Sequence, residues 1–275
     1  MEPITFKQCF KGAWVDGFNA LRNRPLLCLS VAVVILVTSA LGVTFRQLAA
    51  NAAQAGTSAG FRFGMSTLSL TVGLSNFFAF SVLAVHVLRY VILGPEAARQ
   101  APWMSRDVKR YMWTSVQLGL GFGLSGTALI VIAVIALRAT GHANSSALIS
   151  TIIVLLMCAM MFIAVRVSLI YGQIAAGRGK QWRAAWQDTR GHFWSMLGTG
   201  VATILPLVVV AILVTTVLET TLRIMPSALV AVLGILTVQA ALSVVWMAVT
   251  CGVGGWLYHR YANHLLTLDA PPADD

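Results

Sequence analysis

Apolar positions along this chain form long unbroken runs, not the narrow stripes or alternations of a water-facing protein. Six runs lack Asp, Glu, Lys and Arg altogether: 25–45, 63–88, 111–137, 139–165, 191–218 and 224–259. A helix rises about 1.5 Å per residue, so about 20 apolar residues cross a hydrocarbon core. The runs predict spans at about 25–45, 65–89, 113–137, 146–168, 195–218 and 228–258. The last is long enough for a turn opened by Pro226 before its span. None alternates with period two over roughly ten residues, which argues against a β-barrel.

The segments between alternate pairs of runs are amphipathic. Plotted at about 100° per residue, 6–22 sets Phe6, Phe10, Ala13, Trp14, Gly17 and Leu21 on one side. Lys7, Gln8, Lys11, Asn19 and Arg22 fall mostly on the other. Segment 180–194 gives a narrower stripe of Trp182, Ala185, Trp186 and Phe193; in 102–112, Met104, Val108 and Tyr111 stand at helical spacing. Segments 6–22 and 180–194 predict basic helices lying in the inner membrane interface, and 102–112 is the less regular of the three. The first run follows such a helix rather than a short basic leader, which speaks against a cleaved signal peptide. The tail, 260–275, is expected to be disordered, since Leu-Asp-Ala-Pro-Pro-Ala-Asp-Asp buries too little to order itself.

Composition agrees. Of 275 residues, 58% are apolar and 10% charged, against about 25% charged in an average soluble domain. That excludes a soluble enzyme, a disordered chain and a fibrous repeat, and is far more apolar sequence than one membrane surface could hide. The fold class expected is all-α: a polytopic membrane protein with six transmembrane helices and interfacial amphipathic helices on the cytoplasmic side.

Charge sets the orientation. With both termini in the cytoplasm, the inner segments hold fifteen of the nineteen Lys and Arg residues. The outer segments hold four: Arg46, Arg62, Arg138 and Arg223. Cytoplasmic loops retain positive residues during insertion, so both ends are expected inside. Aromatics repeat the asymmetry: Trp113, Trp194, Trp256, Tyr90, Tyr171 and Tyr258 would form an inner interfacial belt, and only Trp246 lies deep in a span. The net charge of +10 is thereby explained without nucleic acid. The inner cations Lys7, Lys11, Arg106, Lys109, Arg110, Arg178, Lys180 and Arg183 are candidates for binding anionic headgroups, since each is worth about 1 kcal/mol at such a surface. The other reading is that they only enforce topology.

Chemistry-bearing constellations are sparse. Cys9, Cys28, Cys158 and Cys251 have no metal-ligand spacing. No carboxylate lies within a span, and no catalytic, metal or cofactor set emerges, so an enzyme is not expected. Charged groups at depth are the exceptions. His86 and Arg89 stand one helical turn apart near the inner end of span two, and Arg166 ends span four. Together they form a candidate polar or anion site; alternatively the arginines snorkel and His86 bonds a neighbouring helix. Gly119, Gly123, Gly126 and Gly252 are candidate packing positions, either within the bundle or as a homodimer seam.

Asp16, Asp107 and Asp188 recur at separations of 91 and 81, each in a basic segment followed by two spans. Two readings stand: triplication of a two-span hairpin, or shared topology alone. The stretch Arg166-Val-Ser168-Leu169, Ala175-x-Gly177 and Ala185-Trp186-x-x-Thr189-Arg190-Gly191-x-x-Trp194 resembles a bacterial six-span family. That family comprises YciC-like inner-membrane proteins and the membrane domain fused to some glycerophosphodiester phosphodiesterases. The match covers 166–194 and is topological elsewhere; Gly172 stands where the family often has proline, with Pro95 at the comparable place one loop earlier. The resemblance implies six helices in a bacterial inner membrane, and no phosphodiesterase chemistry.

Two functions remain in view. One is a non-catalytic structural or accessory membrane protein acting through lipids, a protein partner or a homodimer. The alternative is a transporter, channel or lipid-handling protein with a polar path near His86, Arg89 and Arg166, continued by Asn76, Gln117 and Gln239.

Overall fold

The computed structural model describes residues 4–54, 59–139, 146–222 and 228–263. The expected turn at Pro226 and the tail beyond residue 263 lie outside the described residues. Within them the architecture is all-helical. The elements are α1 (Phe6–Asn23), α2 (Pro25–Gln54), α3 (Ala59–Leu93), α4 (Pro95–Gln100), α5 (Arg106–Ala139), α6 (Ser146–Val167), α7 (Leu169–Ala175), α8 (Trp182–Asp188), α9 (Phe193–Leu222) and α10 (Ala228–Tyr261). Six stretches are long and apolar enough to cross a membrane: one each in α2, α3, α5, α9 and α10, and one running through α6 and α7.

Local chemistry sets the corners. Thr5 opens α1 with a capping box: its hydroxyl accepts from the Gln8 amide, and the Gln8 side chain accepts from the Thr5 amide. Arg24 precedes Pro25 and is non-helical (φ −138°, ψ 72°), because the proline ring disfavours a helical neighbour. The chain therefore turns between α1 and α2. Gly94 ends α3 at φ +91°, and Pro95 starts α4.

α10 is the hub, touching α1, α2, α3, α7 and α9. Its approach to α1 is very close. A Cβ on Gly252 would lie 2.6 Å from the Ala13 carbonyl oxygen, and one on Gly12 would run into the Trp256 ring. The Trp256 indole lies over Gly12 and donates to Asp16 Oδ2 at 2.9 Å. Cys9, Ala13, Gly17 and Ala20 are the buried face of α1.

This divides the expected apolar face of 6–22 in two. The small side chains enter the protein, while the aromatics flank them as a row at four-residue spacing. Phe6 and Phe10 have ring centroids 6.4 Å apart, and Trp14 and Phe18 6.1 Å. In segment 102–112, residues 103–104 form a turn, and 106–112 are the first turns of α5. In 180–194 only Trp182–Asp188 is an independent helix, and Phe193 and Trp194 begin α9. The three recurring aspartates differ in setting: Asp16 lies within α1, Asp107 in the first turn of α5, and Asp188 at the end of α8.

α5 and α6 form a peripheral hairpin. None of the most apolar stretch of the α6–α7 span is buried, and 6% of that in α5. Gly126 faces Met160 across this hairpin, whereas nothing lies within 4 Å of a Cβ at Gly119 or Gly123. Of the four candidate packing glycines, Gly126 and Gly252 therefore meet a neighbouring helix.

Gly252→Leu is expected to push α1 off α10 and destabilise the fold by about 1–3 kcal/mol, as overpacking does. Cys9 reports it. Burial pushes its thiol pKa up, although Arg260 beside it pulls the other way. In a chain keeping only Cys9, thermal unfolding should shift downward and maleimide labelling of Cys9 should speed up; unchanged labelling would mean α1 is held by other contacts.

Candidate functional site

The polar groups gather at the end of the bundle formed by α1, α4, α7 and α8. Arg89 sits near the end of α3, and α4 with the 103–104 turn brings the start of α5 back beside it. Ser105 caps α5, accepting from the Val108 amide at 3.3 Å. Asp107 in that first turn pairs with Arg89, at the positive end of a long helix that favours a carboxylate. Arg89 Nη2 donates to Asp107 Oδ2, and Nε donates to the Ala175 carbonyl at 2.9 Å, tying α3, α5 and α7 together. The two side chains are 14% and 12% exposed, so removing either would leave the other charge largely desolvated. Beside them Gly177 ends α7 at φ +81°, where a Cβ would come 3.9 Å from Asp107 Oδ2.

One turn before Arg89, His86 Nε2 donates to the Ala20 carbonyl at 3.0 Å, joining α3 to α1. The carbonyl can only accept, which leaves Nδ1 as the other ring nitrogen, buried and without a partner. Arg24 donates to the Ala101 carbonyl at 2.7 Å. Arg24, His86, Arg89 and Ser105 line a cavity of about 10 Å³, room for roughly one water molecule.

Arg166 belongs to a different cluster. Its guanidinium lies 5.2 Å from the Phe162 ring centroid and 5.0 Å from that of Trp186. It donates to the Trp186 carbonyl at 3.1 Å, and Thr189 donates back to the Arg166 carbonyl at 3.2 Å. These bonds clip α8 to the end of α6. The candidate trio thus separates: His86 and Arg89 share a cavity, and Arg166 serves α8.

The residues of the polar path are dispersed as well. Asn76 accepts from Thr38 at 2.6 Å, and Gln117 accepts from Lys180 at 3.2 Å. Gln239 faces an apolar groove of about 490 Å³ between α9 and α10. A second apolar groove of about 490 Å³ lies between α6, α9 and α10.

Of the headgroup candidates, Lys7, Lys11, Arg106, Lys109 and Arg183 are exposed, while Arg110, Arg178 and Lys180 are half-buried. Arg178 donates to the Tyr258 hydroxyl at 3.3 Å. Tyr258 leaves the expected interfacial belt: it is 1% exposed and packs where Gly172 leaves room, a Cβ there coming 2.7 Å from its ring. Trp113 and Trp194 are well exposed, at 61% and 79%. Gln173 was not singled out by sequence. It is fully buried in α7 and accepts from the Gln181 amide at 3.0 Å, holding the link to α8. An uncharged amide in an apolar stretch carries no signal of that role. No group of three or more metal-ligating side chains occurs among the described residues.

Comparisons with protein-family models, with curated proteins and with solved structures find no match.

Breaking the Arg89–Asp107 pair from one side should be worse than removing it whole. Asp107→Ala is expected to cost about 3–5 kcal/mol by stranding the guanidinium, and Asp107→Ala with Arg89→Met substantially less. Thermal unfolding of the single and double variants measures the difference. Equal losses would mean the pair is not desolvated as described.

Proposed function

We propose that this protein is a non-catalytic, multi-pass component of a bacterial inner membrane, with both termini in the cytoplasm. It acts through anionic lipid headgroups, and through protein partners, at its basic end. The observation that carries this is the surface around α1, α5 and α8. There exposed Lys7, Lys11, Arg106, Lys109 and Arg183 stand among exposed Phe6, Phe18, Trp103, Trp113, Trp182 and Trp194. Rings that settle at the headgroup level, beside cations that attract anionic lipid, suit a leaflet surface. The fifteen-to-four division of Lys and Arg supports placing this end in the cytoplasm.

The deeper charges support a structural role. Arg89 and Arg166 are engaged by Asp107, by backbone carbonyls and by aromatic faces, so both serve to fix helices. The resemblance over 166–194 to the YciC-like family points the same way, since that stretch holds the Arg166–Thr189 clip and the Gly177 turn.

Changing Lys109, Arg110, Lys180 and Arg183 to Gln leaves eleven inner cations, enough to hold orientation. Each loss should weaken headgroup attraction by about 1 kcal/mol. Native mass spectrometry of the variant should show fewer retained anionic lipids, with reporter fusions at Met104 and Lys180 still reading inside. Normal insertion with unchanged anionic lipid would contradict the headgroup reading.

A further inference from the structure

Polar side chains within the spans of this bundle mostly find partners inside it. Thr38 bonds Asn76, and Thr199, Thr203, Thr215 and Thr237 turn their hydroxyls onto carbonyls of their own helices. Gln239 departs from this pattern. It is exposed, and its amide has no hydrogen-bond partner among the described residues. It lies fifteen residues along α10 from Gly254, which packs on Leu88 beside Arg89. That is roughly 22 Å of helix. In a hydrocarbon core about 30 Å thick, that leaves the Gln239 backbone about 8 Å inside the opposite headgroup layer, still within the core, where an unsatisfied polar group is costly.

The surroundings of Gln239 form a helix-sized surface. Gln239, Leu242 and Trp246 follow one another at three- and four-residue spacing on α10, and Leu207, Ala211 and Thr215 at four-residue spacing on α9. Together they wall the groove of about 490 Å³, with Phe80 of α3 also lining it. Trp246 is 39% exposed there.

We propose that this face is a homodimer interface, in which Gln239 pairs with Gln239 of a second copy. A lipid chain filling the groove would offer the amide neither donor nor acceptor. A carboxamide carries both, so it is complementary to itself. Two copies inserted in the same orientation necessarily present Gln239 at the same depth. A two-fold axis along the membrane normal then brings the amides together, as an isologous contact requires. Interhelical amide bonds of this kind drive association in membranes.

The test is energy transfer between differently labelled copies of the full chain in bilayers, titrated over protein-to-lipid ratio. Wild type should dimerise. Gln239→Leu, which places an apolar side chain on a lipid-accessible face, should raise the dissociation constant about tenfold. Gln239→Asn should retain most of the association, and Leu124→Ala on the exposed face of α5 should behave as wild type. A wild-type chain that stays monomeric throughout the titration would overturn the proposal, as would Gln239→Leu dimerising as well as wild type. A monomer that holds a lipid in this groove and loses it in Gln239→Leu would overturn it in favour of a lipid occupant.

Discussion

The close contact of α1 with α10 positions the polar end of this protein. α1 carries Lys7, Lys11 and a row of aromatics, yet it is held by its smallest residues. Gly12, Ala13 and Gly17 let its backbone reach Ala248, Gly252 and the flat face of Trp256. Small residues gain dispersion contacts by allowing backbones to approach, and the Trp256–Asp16 hydrogen bond fixes the register. Once α1 is seated, its Ala20 carbonyl meets His86 of α3, and Arg24 just beyond it meets Ala101. His259 completes the ring of ties by donating to the Val91 carbonyl of α3 at 3.0 Å.

Burial then sorts the charges into two kinds. Arg89 and Asp107 are largely removed from solvent and hold three helices in place. Arg166 lies beside the Phe162 and Trp186 rings and serves as a clip for α8. The exposed cations on α1, α5 and α8 have no such task and face outward beside tryptophans and phenylalanines. The same residue types therefore act as internal braces or as a surface, according to what covers them.

The six spans are legible in the sequence because charge in hydrocarbon is costly, so the charge-free runs mark the helices almost by themselves. The helical character of 6–22 is legible for a similar reason. Which side of α1 is buried is not. The aromatic row and the small-residue stripe are neighbours on the wheel, and transfer energy ranks Phe and Trp above Gly and Ala, whereas backbone approach reverses the order. The joining of Arg89 to Asp107 rather than to Arg166 depends on the Gly94 turn and α4, tertiary geometry that no spacing encodes. Gly119 and Gly123 have the same pattern as packing glycines, yet their surroundings are open, because sequence spacing does not say which helix lies opposite.

Docking of α1 on α10 is most directly tested by a cysteine pair. A Cβ on Gly17 would lie 3.1 Å from the Ala248 carbonyl oxygen and 3.5 Å from the Cα of Val249, so α1 need give by only a few tenths of an ångström to seat a cysteine there, within reach of a disulfide. In a chain with its four native cysteines replaced, Gly17→Cys with Val249→Cys should cross-link on mild oxidation in the membrane, detected as a loss of free thiols and an intramolecular linked peptide. Val15→Cys with Val249→Cys should not, because Val15 is on the exposed side of the helix. Efficient linkage of both pairs, or of neither, would contradict a docked α1 and mean a helix moving freely on the membrane surface.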